Sequence, residues 1–480
     1  MNQKPNIVMI MVDEMRGDAM GFAGHPDVKT PHLDTLAAQG VYYPNAYSSC
    51  PTCIPARAIL MTGMTGAHTG RTGYQDGIRW DYPHTLAGEL SKAGYYTQCV
   101  GKMHVHPLRK MLGFHHIELH DGHLHYYRHD RQNGAERQQY ADDYFHWLRK
   151  EKGIDCDVCD TGMDCNSWLV RPWPYEEKYH PTNWVTDRSI DFLRRRDRDM
   201  PFFLMSSYVR PHAPYDPPQA FLDMYINKPL RPPFHGDWND ATRLERSGRI
   251  YNNTCGPVDP ELIRRQQAGY YALITHIDYQ IGRLLNALYE SDAMDNTILL
   301  FLSDHGEMLS DHCYSRKALP YRGSAQIPMI LWGPEKWIGP ARTDERLVEL
   351  RDVMPTLLHF AGAPVPDTVD GENMLAPSDR CYLHGEHVFE GESVQFIVTQ
   401  KDKFIWFSGQ MKEQYFRLDL DPAETTNRIT DPACAMRIRQ MRQWLIESLA
   451  GREEGFTDGT VLKQVVDPPV LSAALRRQQR

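Results

Sequence analysis

Short apolar runs alternate with amphipathic stretches along roughly the first three quarters of the chain. The first run, residues 6–12, reads Asn-Ile-Val-Met-Ile-Met-Val and stops at two acids, which predicts a buried strand. Comparable runs occupy residues 96–100, 201–206 and 297–302, and each follows a stretch with helical periodicity. This alternation is typical of βαβ units. We therefore predict an α/β fold with a mostly parallel central sheet flanked by helices.

Capping residues indicate where the helices begin and end. Thr30-Pro31 predicts a helix start and Gly40 predicts its end, because a capping hydroxyl and a proline suit the first turn and glycine suits the end. Asp259-Pro260 predicts the start of a long helix reaching about residue 289. Two further helices are predicted at residues 84–94 and 183–196.

The α/β pattern stops near residue 370. Beyond it lie strand-like pieces and one helical stretch: residues 395–398, 403–407, 415–420 and 436–449. We predict that residues 1–375 form the large α/β domain and that residues 376–480 form a small α+β domain with an antiparallel sheet. Two irregular stretches, residues 105–180 and 215–258, are candidates for the walls of a ligand pocket, because long loops inside a compact domain are usually functional.

Composition and charge narrow the class of protein. The 480 residues are 41% hydrophobic and 24% charged, as in a globular protein, and the net charge of -9 argues against a nucleic-acid partner. No run approaches the roughly 20 apolar residues of a membrane-spanning helix. The first apolar run is short and ends at acids, unlike a signal peptide, so we expect a cytoplasmic chain. Its ten cysteines should then form few or no disulfides.

Ionisable residues follow several of the predicted strands. Because the carboxyl ends of parallel strands meet at one edge of a sheet, these residues should converge there. Carboxylates are hard ligands suited to a divalent cation, and the basic residues suit a bound oxyanion. The residues concerned are Asp13, Glu14, Lys102, His104, His212, Asp304 and His305.

A cysteine segment supplies the centre of the candidate site. Cys53-Ile54-Pro55-Ala56-Arg57 precedes an apolar helical run, and Pro55 fits a first helical turn. Cys53 is thereby placed at a helix N-terminus, where backbone N–H groups attract anions and favour a thiolate. Cys50 and Cys53 also form a Cys-x-x-Cys pair, which would suit a thiol–disulfide oxidoreductase. That alternative requires neither Arg57 nor the acids. In a third interpretation Cys53 has no catalytic role and is not chemically modified, and the chain is a binding protein.

The cysteine segment, followed by Leu60-Met61-Thr62-Gly63, resembles the signature of the type I, formylglycine-dependent sulfatases of the alkaline phosphatase superfamily. Cys50 does not fit that signature, since Thr52 and Ile54 stand where proline and arginine are required. Further segments resemble the family in the same order along the chain: residues 6–14, 101–104, 210–212, 303–307, 316–321 and 418–424. An ordered set of this kind is far more specific than one motif.

The resemblance implies a sulfate ester hydrolase in which Cys53 is oxidised to formylglycine. One hydroxyl of the hydrated aldehyde attacks sulfur, and loss of a proton from the other expels sulfate. The implied catalytic residues are Cys53, Arg57, Lys102, His104, His212 and Lys317. Of these, Lys102, His212 and Lys317 would also bind the substrate, His104 would deprotonate the second hydroxyl, and His212 would bind sulfate or protonate the leaving oxygen. The implied metal ligands are Asp13, Glu14, Cys53, Asp304 and His305.

Two departures from the family pattern leave the identity of the metal ion open. Asp13-Glu14 and Asp304-His305 stand where many members have Asp-Asp and Asp-Asn. Calcium is the expected ion, but a histidine ligand also admits manganese, magnesium or zinc, and Glu14 could lie outside the direct ligands. Arg322 stands where a glutamate is common, which could tune the pocket.

The implied partners are a small-molecule or oligosaccharide sulfate ester and a formylglycine-generating maturation enzyme. The identity of the alcohol and the oligomeric state, a homo-oligomer included, are left open. A phosphonate monoester hydrolase or phosphodiesterase of the same superfamily is the closest rival, because it can share the cysteine signature.

Overall fold

The computed structural model describes residues 4–122, 142–239, 254–255 and 259–478. Parts of the two predicted pocket-wall loops, residues 123–141, 240–253 and 256–258, lie outside these ranges. Within the described ranges, no helix is both long enough and apolar enough to span a membrane. All ten cysteines are free, as predicted.

The strands and helices have the following bounds. The strands are β1 (Asn6–Asp13), β2 (Val41–Tyr42), β3 (Ala46–Tyr47), β4 (Tyr96–Gly101), β5 (His116–Leu119), β6 (Phe202–Pro211), β7 (Thr297–Ser303), β8 (Met329–Trp332), β9 (Arg342–Thr343), β10 (Val348–Glu349), β11 (Leu383–Phe389), β12 (Glu392–Val398), β13 (Asp402–Phe407) and β14 (Lys412–Arg417). The α-helices are α1 (Pro31–Gln39), α2 (Cys53–Thr62), α3 (Gly66–Thr69), α4 (Leu86–Lys92), α5 (Asp143–Lys152), α6 (Pro181–Arg195), α7 (Gln219–Leu222), α8 (Pro260–Glu290), α9 (Arg322–Ala325), α10 (Glu335–Ile338), α11 (Val353–Ala361), α12 (Ala435–Ser448) and α13 (Ala473–Gln478).

In the described part of the chain, eight strands form the central sheet, in the order β5-β4-β6-β1-β7-β8-β2-β9. The run from β5 to β7 is parallel throughout, while β8 is antiparallel to both β7 and β2. The first apolar run of the sequence therefore forms the middle of the sheet, with β6 on one side and β7 on the other. The C-terminal strands β11 to β14 form a separate antiparallel sheet.

Both faces of the central sheet are buried. Along β1, Val8, Ile10 and Val12 belong to the apolar cluster that includes α6 and α8. The alternate side chains of Ile7, Met9 and Met11 belong to the cluster that includes α2 and α11. A strand buried on both faces reads as a continuous apolar run, which is why its sequence is so hydrophobic. The predicted α/β fold with a small C-terminal α+β part is confirmed.

The structure departs from the predicted elements at the end of β6 and in the C-terminal sheet. The strand predicted to end at Ser206 continues to Pro211. The last C-terminal strand covers Lys412–Arg417 rather than residues 415–420, and β11 was not predicted at all. β11 reads Leu-His-Gly-Glu-His-Val-Phe, which lacks an apolar alternation, and it is ordered by antiparallel pairing with β12. The domain boundary at residues 375 and 376 stays a prediction.

Helix α6 begins at a buried histidine that makes its stability depend on pH. The backbone N–H of Thr182 donates to Nδ1 of His180 at 3.1 Å, so this nitrogen must be unprotonated. Burial lowers the pKa of His180 from its usual 6.5 to about 4. Between these two values the unfolded chain binds the proton and the folded chain does not. The contribution to stability is therefore complete above pH 6.5 and is lost as the pH falls toward 4.

We expect the free energy of unfolding to fall by up to about 1.4 kcal/mol per pH unit from this one group between pH 6.5 and 4. Urea unfolding at several pH values measures the slope. The variant His180→Asn keeps a capping side chain but cannot titrate, so its slope should be shallower. An unchanged slope in the variant would assign the acid sensitivity to other groups.

Candidate active site

Polar segments that follow four parallel strands meet at the carboxyl edge of the central sheet. Val12 of β1 pairs with Ser303 of β7, so the residues after each strand, Asp13-Glu14 and Asp304-His305, emerge side by side. β6 lies on the other side of β1, and β4 lies beyond it. The sheet order thus brings the predicted acids next to the predicted basic residues.

Gly101 allows the chain to leave β4 toward this edge. Its φ is +101°, which favours glycine, and a β-carbon there would collide with the carbonyl oxygen of Ser207 in β6. The N–H of Lys102 donates to that same oxygen at 2.9 Å. The close approach of β4 and β6 sets the point from which the Lys102 side chain reaches Asp13.

Four buried side chains form a candidate metal centre. Asp13, Cys53, Asp304 and His305 each offer a ligand atom, and these atoms all lie within 4.8 Å of one another. Sγ of Cys53 is 3.2 Å from Nε2 of His305 and 3.6 Å from Oδ1 of Asp13. Nδ1 of His305 lies 3.0 Å from the carbonyl oxygen of Gly306, which can only accept, so Nε2 presents its lone pair to the cluster. Two carboxylates and an imidazole fit a divalent cation.

Two cations contact these acids. Lys102 forms an ion pair with Oδ2 of Asp13 and lies 3.8 Å from Sγ of Cys53. Arg57 donates from Nε to Asp304 at 2.9 Å and from Nη1 to the carbonyl oxygen of Lys102 at 2.7 Å. Burial opposes ionisation, but Lys102, His212 and Arg57 hold the pKa of Asp13 well below its usual value. The site is therefore a buried patch of alternating charge rather than an apolar pocket.

Cys53 begins helix α2, as predicted, and is 2% exposed. Burial raises the pKa of its thiol to about 12, with Asp13 acting in the same direction. Burial and Glu386 also raise the pKa of the Cys50 thiol well above its usual value. Thiol–disulfide exchange needs an accessible thiolate. These buried, protonated thiols do not favour the oxidoreductase alternative.

Glu14, His212 and Lys317 form a second group beside the first. Nζ of Lys317 lies 2.8 Å from Oε2 of Glu14 and 2.7 Å from Nε2 of His212, and the glutamate and histidine atoms are 3.2 Å apart. Burial, aided by Glu307 and Asp13, raises the pKa of Glu14, and the ion pair with Lys317 opposes that shift. Burial and then Lys317 lower the pKa of His212 well below 6.5. Glu14 also forms a possible ligand set with Asp13 and His212, so its predicted place among the metal ligands stays a prediction.

His104 follows Lys102 at the same edge and is 1% exposed. Its backbone N–H donates to Oδ1 of Asp121 at 3.0 Å, and its ring lies edge-on to Tyr74 with centroids 5.9 Å apart. The N–H of Met103 donates to the same Asp121 oxygen at 2.9 Å. Asp121 therefore fixes the backbone that carries His104. No sequence pattern singled out this residue, because Asp121 stands alone in an irregular stretch.

The C-terminal sheet contacts the segment that precedes Cys53. Strand β11 donates from the N–H of Glu386 to the carbonyl oxygen of Ser49 at 2.7 Å. Next to it, Nε2 of His387 lies 2.8 Å from the hydroxyl oxygen of Thr52, the residue before Cys53. His387 is 2% exposed. Sequence reasoning missed this contact because β11 itself was not predicted.

A buried ion pair links the C-terminal sheet to the segment after Lys317. Nζ of Lys403 lies 2.5 Å from Oε1 of Glu424 and 2.8 Å from the carbonyl oxygen of Pro320. The other carboxylate oxygen of Glu424 accepts from the N–H of Arg322 at 2.7 Å. The Arg322 side chain bonds Gln326 and the carbonyl oxygen of Pro422. The residues 418–424 motif thus supports the backbone that follows Lys317.

The mostly parallel sheet with this buried cluster of acids, histidine and cysteine at its carboxyl edge fits the hydrolase site expected from the sequence. Residues 5–363 match the protein family described as Sulfatase. The chain therefore belongs to the sulfatase family, and the resemblance seen in the sequence is confirmed. It is an enzyme that hydrolyses sulfate esters.

Known proteins similar to this chain support the same assignment. An arylsulfatase of Clostridium perfringens is 49% identical over 467 residues, which cover 96% of this chain and 97% of that relative. An ulvan-active sulfatase of Formosa agariphila is 31% identical over 378 residues, covering 77% of this chain and 64% of the relative. Among solved structures, the phosphonate monoester hydrolase of Agrobacterium radiobacter shares the fold with a TM-score of 0.77 and 24% identity, covering 92% of this chain and 95% of its own.

Proposed function

We propose that this sulfatase hydrolyses sulfate monoesters of aryl or carbohydrate alcohols, using a formylglycine made from Cys53 and one divalent metal ion. The observation that carries the proposal is the position of Cys53: its Sγ lies 3.2 Å from His305 and 3.6 Å from Asp13 within the candidate metal centre. Burial raises the pKa of the thiol to about 12, which disfavours a thiolate at this position. An oxygen nucleophile at residue 53 fits this position better than a thiol does.

Asp13, Asp304, His305 and residue 53 would hold the metal. Two carboxylates and an imidazole suit the expected calcium and also admit manganese, magnesium or zinc. When bound, the ion would supply Lewis-acid activation of the oxygen at residue 53 and would screen the charge of the sulfate group. Oxidation of Cys53 to formylglycine would supply the hydrated aldehyde whose hydroxyl attacks sulfur.

The remaining side chains bind sulfate and move protons. Arg57 and Lys102 place positive charge beside Cys53 and would stabilise the charge on the sulfate oxygens. Lys317 and His212, 2.7 Å apart, would bind sulfate and assist the leaving oxygen. His104 would take a proton from the second hydroxyl of residue 53, after which sulfate leaves.

The proposed partners follow from the same chemistry. Residue 53 requires a formylglycine-generating maturation enzyme. The 49% identity to an arylsulfatase supports an aryl sulfate as the substrate of this chain. The similarity to an ulvan-active sulfatase supports a carbohydrate sulfate. A cytoplasmic location is supported by the ten free thiols, which a reducing compartment would maintain.

The test compares an aryl sulfate with matched aryl phosphate diester and phosphonate monoester substrates, using enzyme produced together with a maturation enzyme. We expect kcat/KM to be highest for the sulfate. Mass spectrometry of the peptide containing residue 53 should show a loss of about 18 Da where the cysteine is converted. Dominant turnover of a phosphorus ester would support the superfamily rival instead, and an unconverted peptide in an active enzyme would exclude the formylglycine nucleophile.

A further inference from the structure

One carboxylate oxygen of Glu14 contacts two functional side chains that do not belong to the candidate metal centre. Oε2 of Glu14 is within 2.8 Å of Nζ of Lys317 and within 3.2 Å of Nε2 of His212. The side chains of all three are at most 9% exposed. Asp13, its neighbour in the chain, instead contacts Lys102, Cys53 and His305. The two successive acids therefore contact two different sets of side chains.

The backbone at Glu14 produces this separation. Its φ is +71°, in the left-handed region, which a residue with a side chain adopts only when its surroundings hold it there. The N–H of Glu14 donates to Oδ1 of Asp304 at 3.2 Å, and its carbonyl oxygen accepts from the hydroxyl of Tyr270 at 2.7 Å. The turn after β1 is thus fixed on both sides of Glu14, and it directs the carboxylate toward Lys317.

The ammonium group of Lys317 competes with a metal ion for this carboxylate. Asp13, Glu14 and His212 could together form a ligand set. However, Nζ of Lys317 already lies at hydrogen-bond distance from both Glu14 and His212. An ion bound by those two residues would lie close to a like charge that is shielded from water, where repulsion is strong. The ammonium therefore takes the place that a second cation would need.

We propose that Glu14 is a positioning residue for Lys317 and His212 and is not a metal ligand. An ammonium has three N–H groups. One is directed to Glu14 and one to Nε2 of His212, whose Nδ1 is held 2.6 Å from the carbonyl oxygen of Ala213. The third N–H would then remain for the substrate. This inference rests on the proposed function, in which Lys317 and His212 assist the leaving oxygen.

The consequence is a dependence on the leaving group. Charge on the leaving oxygen is greatest when the alcohol is a weak acid, so poor leaving groups need Lys317 and His212 most. Loss of Glu14 should therefore slow hydrolysis of sulfates of weakly acidic alcohols more than that of 4-nitrophenyl sulfate. A residue that binds the metal would instead affect all substrates alike.

The experiment compares Glu14→Gln, Glu14→Ala and Asp304→Asn with the parent enzyme. Bound metal per chain is measured by elemental analysis, and kcat/KM is measured over aryl sulfates whose phenols span a wide range of pKa. We expect both Glu14 variants to keep the parent's metal content. Activity should fall only a few-fold with the best leaving group and up to about 100-fold with the poorest. Glu14→Gln, which can still accept a hydrogen bond, should lose less than Glu14→Ala. Asp304→Asn should lose metal and activity together.

Loss of metal from Glu14→Gln, or an equal fall for every substrate, would overturn the inference. Two metal equivalents in the parent, reduced to one in Glu14→Ala, would place a second ion at Glu14 and would also overturn it. Should the parent hydrolyse no sulfate ester, the proposed function fails on that result. Metal content would still decide whether Glu14 is a ligand, so the two failures are distinguishable.

Discussion

Replacing Cys53 with alanine is expected to lower kcat/KM for an aryl sulfate by at least about 10,000-fold, the scale seen when a covalent nucleophile is removed. Sγ of Cys53 lies within the candidate metal centre, 3.6 Å from Oδ1 of Asp13 and 3.2 Å from Nε2 of His305. Steady-state kinetics on 4-nitrophenyl sulfate, with the protein shown to be folded by circular dichroism, measures the loss.

Cys50→Ala is the matched control. Cys50 lies three residues earlier and is equally buried, but it packs in the apolar cluster between the sheet and α2. Its replacement should leave kcat/KM within a few-fold of the parent. Equal losses in the two variants would indicate that the cysteines act as a pair. Retained activity in Cys53→Ala would exclude residue 53 as the nucleophile.

Replacing Glu424 with glutamine is expected to lower the free energy of unfolding by about 3–5 kcal/mol, because it leaves the ammonium of Lys403 buried without its counter-charge. Both side chains of the pair are 0% exposed. Burial already lowers the pKa of Lys403, and Glu424 opposes that shift. Activity should fall as well, because Glu424 and Lys403 bind the backbone of Pro320 and Arg322, just after Lys317. Urea unfolding and kcat/KM provide the two measurements.

An exposed ion pair in the same region supplies the control. Arg417 and Asp419 are 2.7 Å apart, with side chains 35% and 31% exposed, so Asp419→Asn should cost less than about 1 kcal/mol. The double variant Lys403→Met with Glu424→Gln removes both buried charges and should recover part of the lost stability. If Glu424→Gln were no more destabilised than Asp419→Asn, the buried pair would contribute little to the C-terminal contact.

The sequence predicts that the candidate site residues lie together at one edge of the sheet. It does not predict that Asp13 and Glu14 contact different side chains there. Asp13 and Asp304 each follow an apolar strand, and the geometry of parallel sheets brings such residues to one edge. The separate grouping of Glu14 depends on its φ of +71°, which contacts with Asp304 and Tyr270 hold in place. Those partners are more than 250 residues away in sequence. Local pattern carries no information about them.

The contacts that the C-terminal sheet makes with the candidate site could not be predicted from sequence for a different reason. β11 carries a glycine and three other polar or ionisable residues among its seven, so neither its apolar content nor its periodicity predicts a strand. It becomes a strand through pairing with β12, and only then does His387 reach Thr52. The residues 418–424 motif was visible, but its role as support for the Lys317 segment depends on Lys403, which carries no motif.

The covering of the Cys53 segment by β11 sets an order of events during synthesis. In the folded chain Cys53 is 2% exposed, and Glu386 and His387 contact Ser49 and Thr52 just before it. The strand that closes it leaves the ribosome about 330 residues after the cysteine, which at roughly 5–20 residues per second is tens of seconds later. The proposed modification of Cys53 would take place within that interval. A chain that completes its C-terminal sheet before the proposed modification would keep a buried thiol at residue 53.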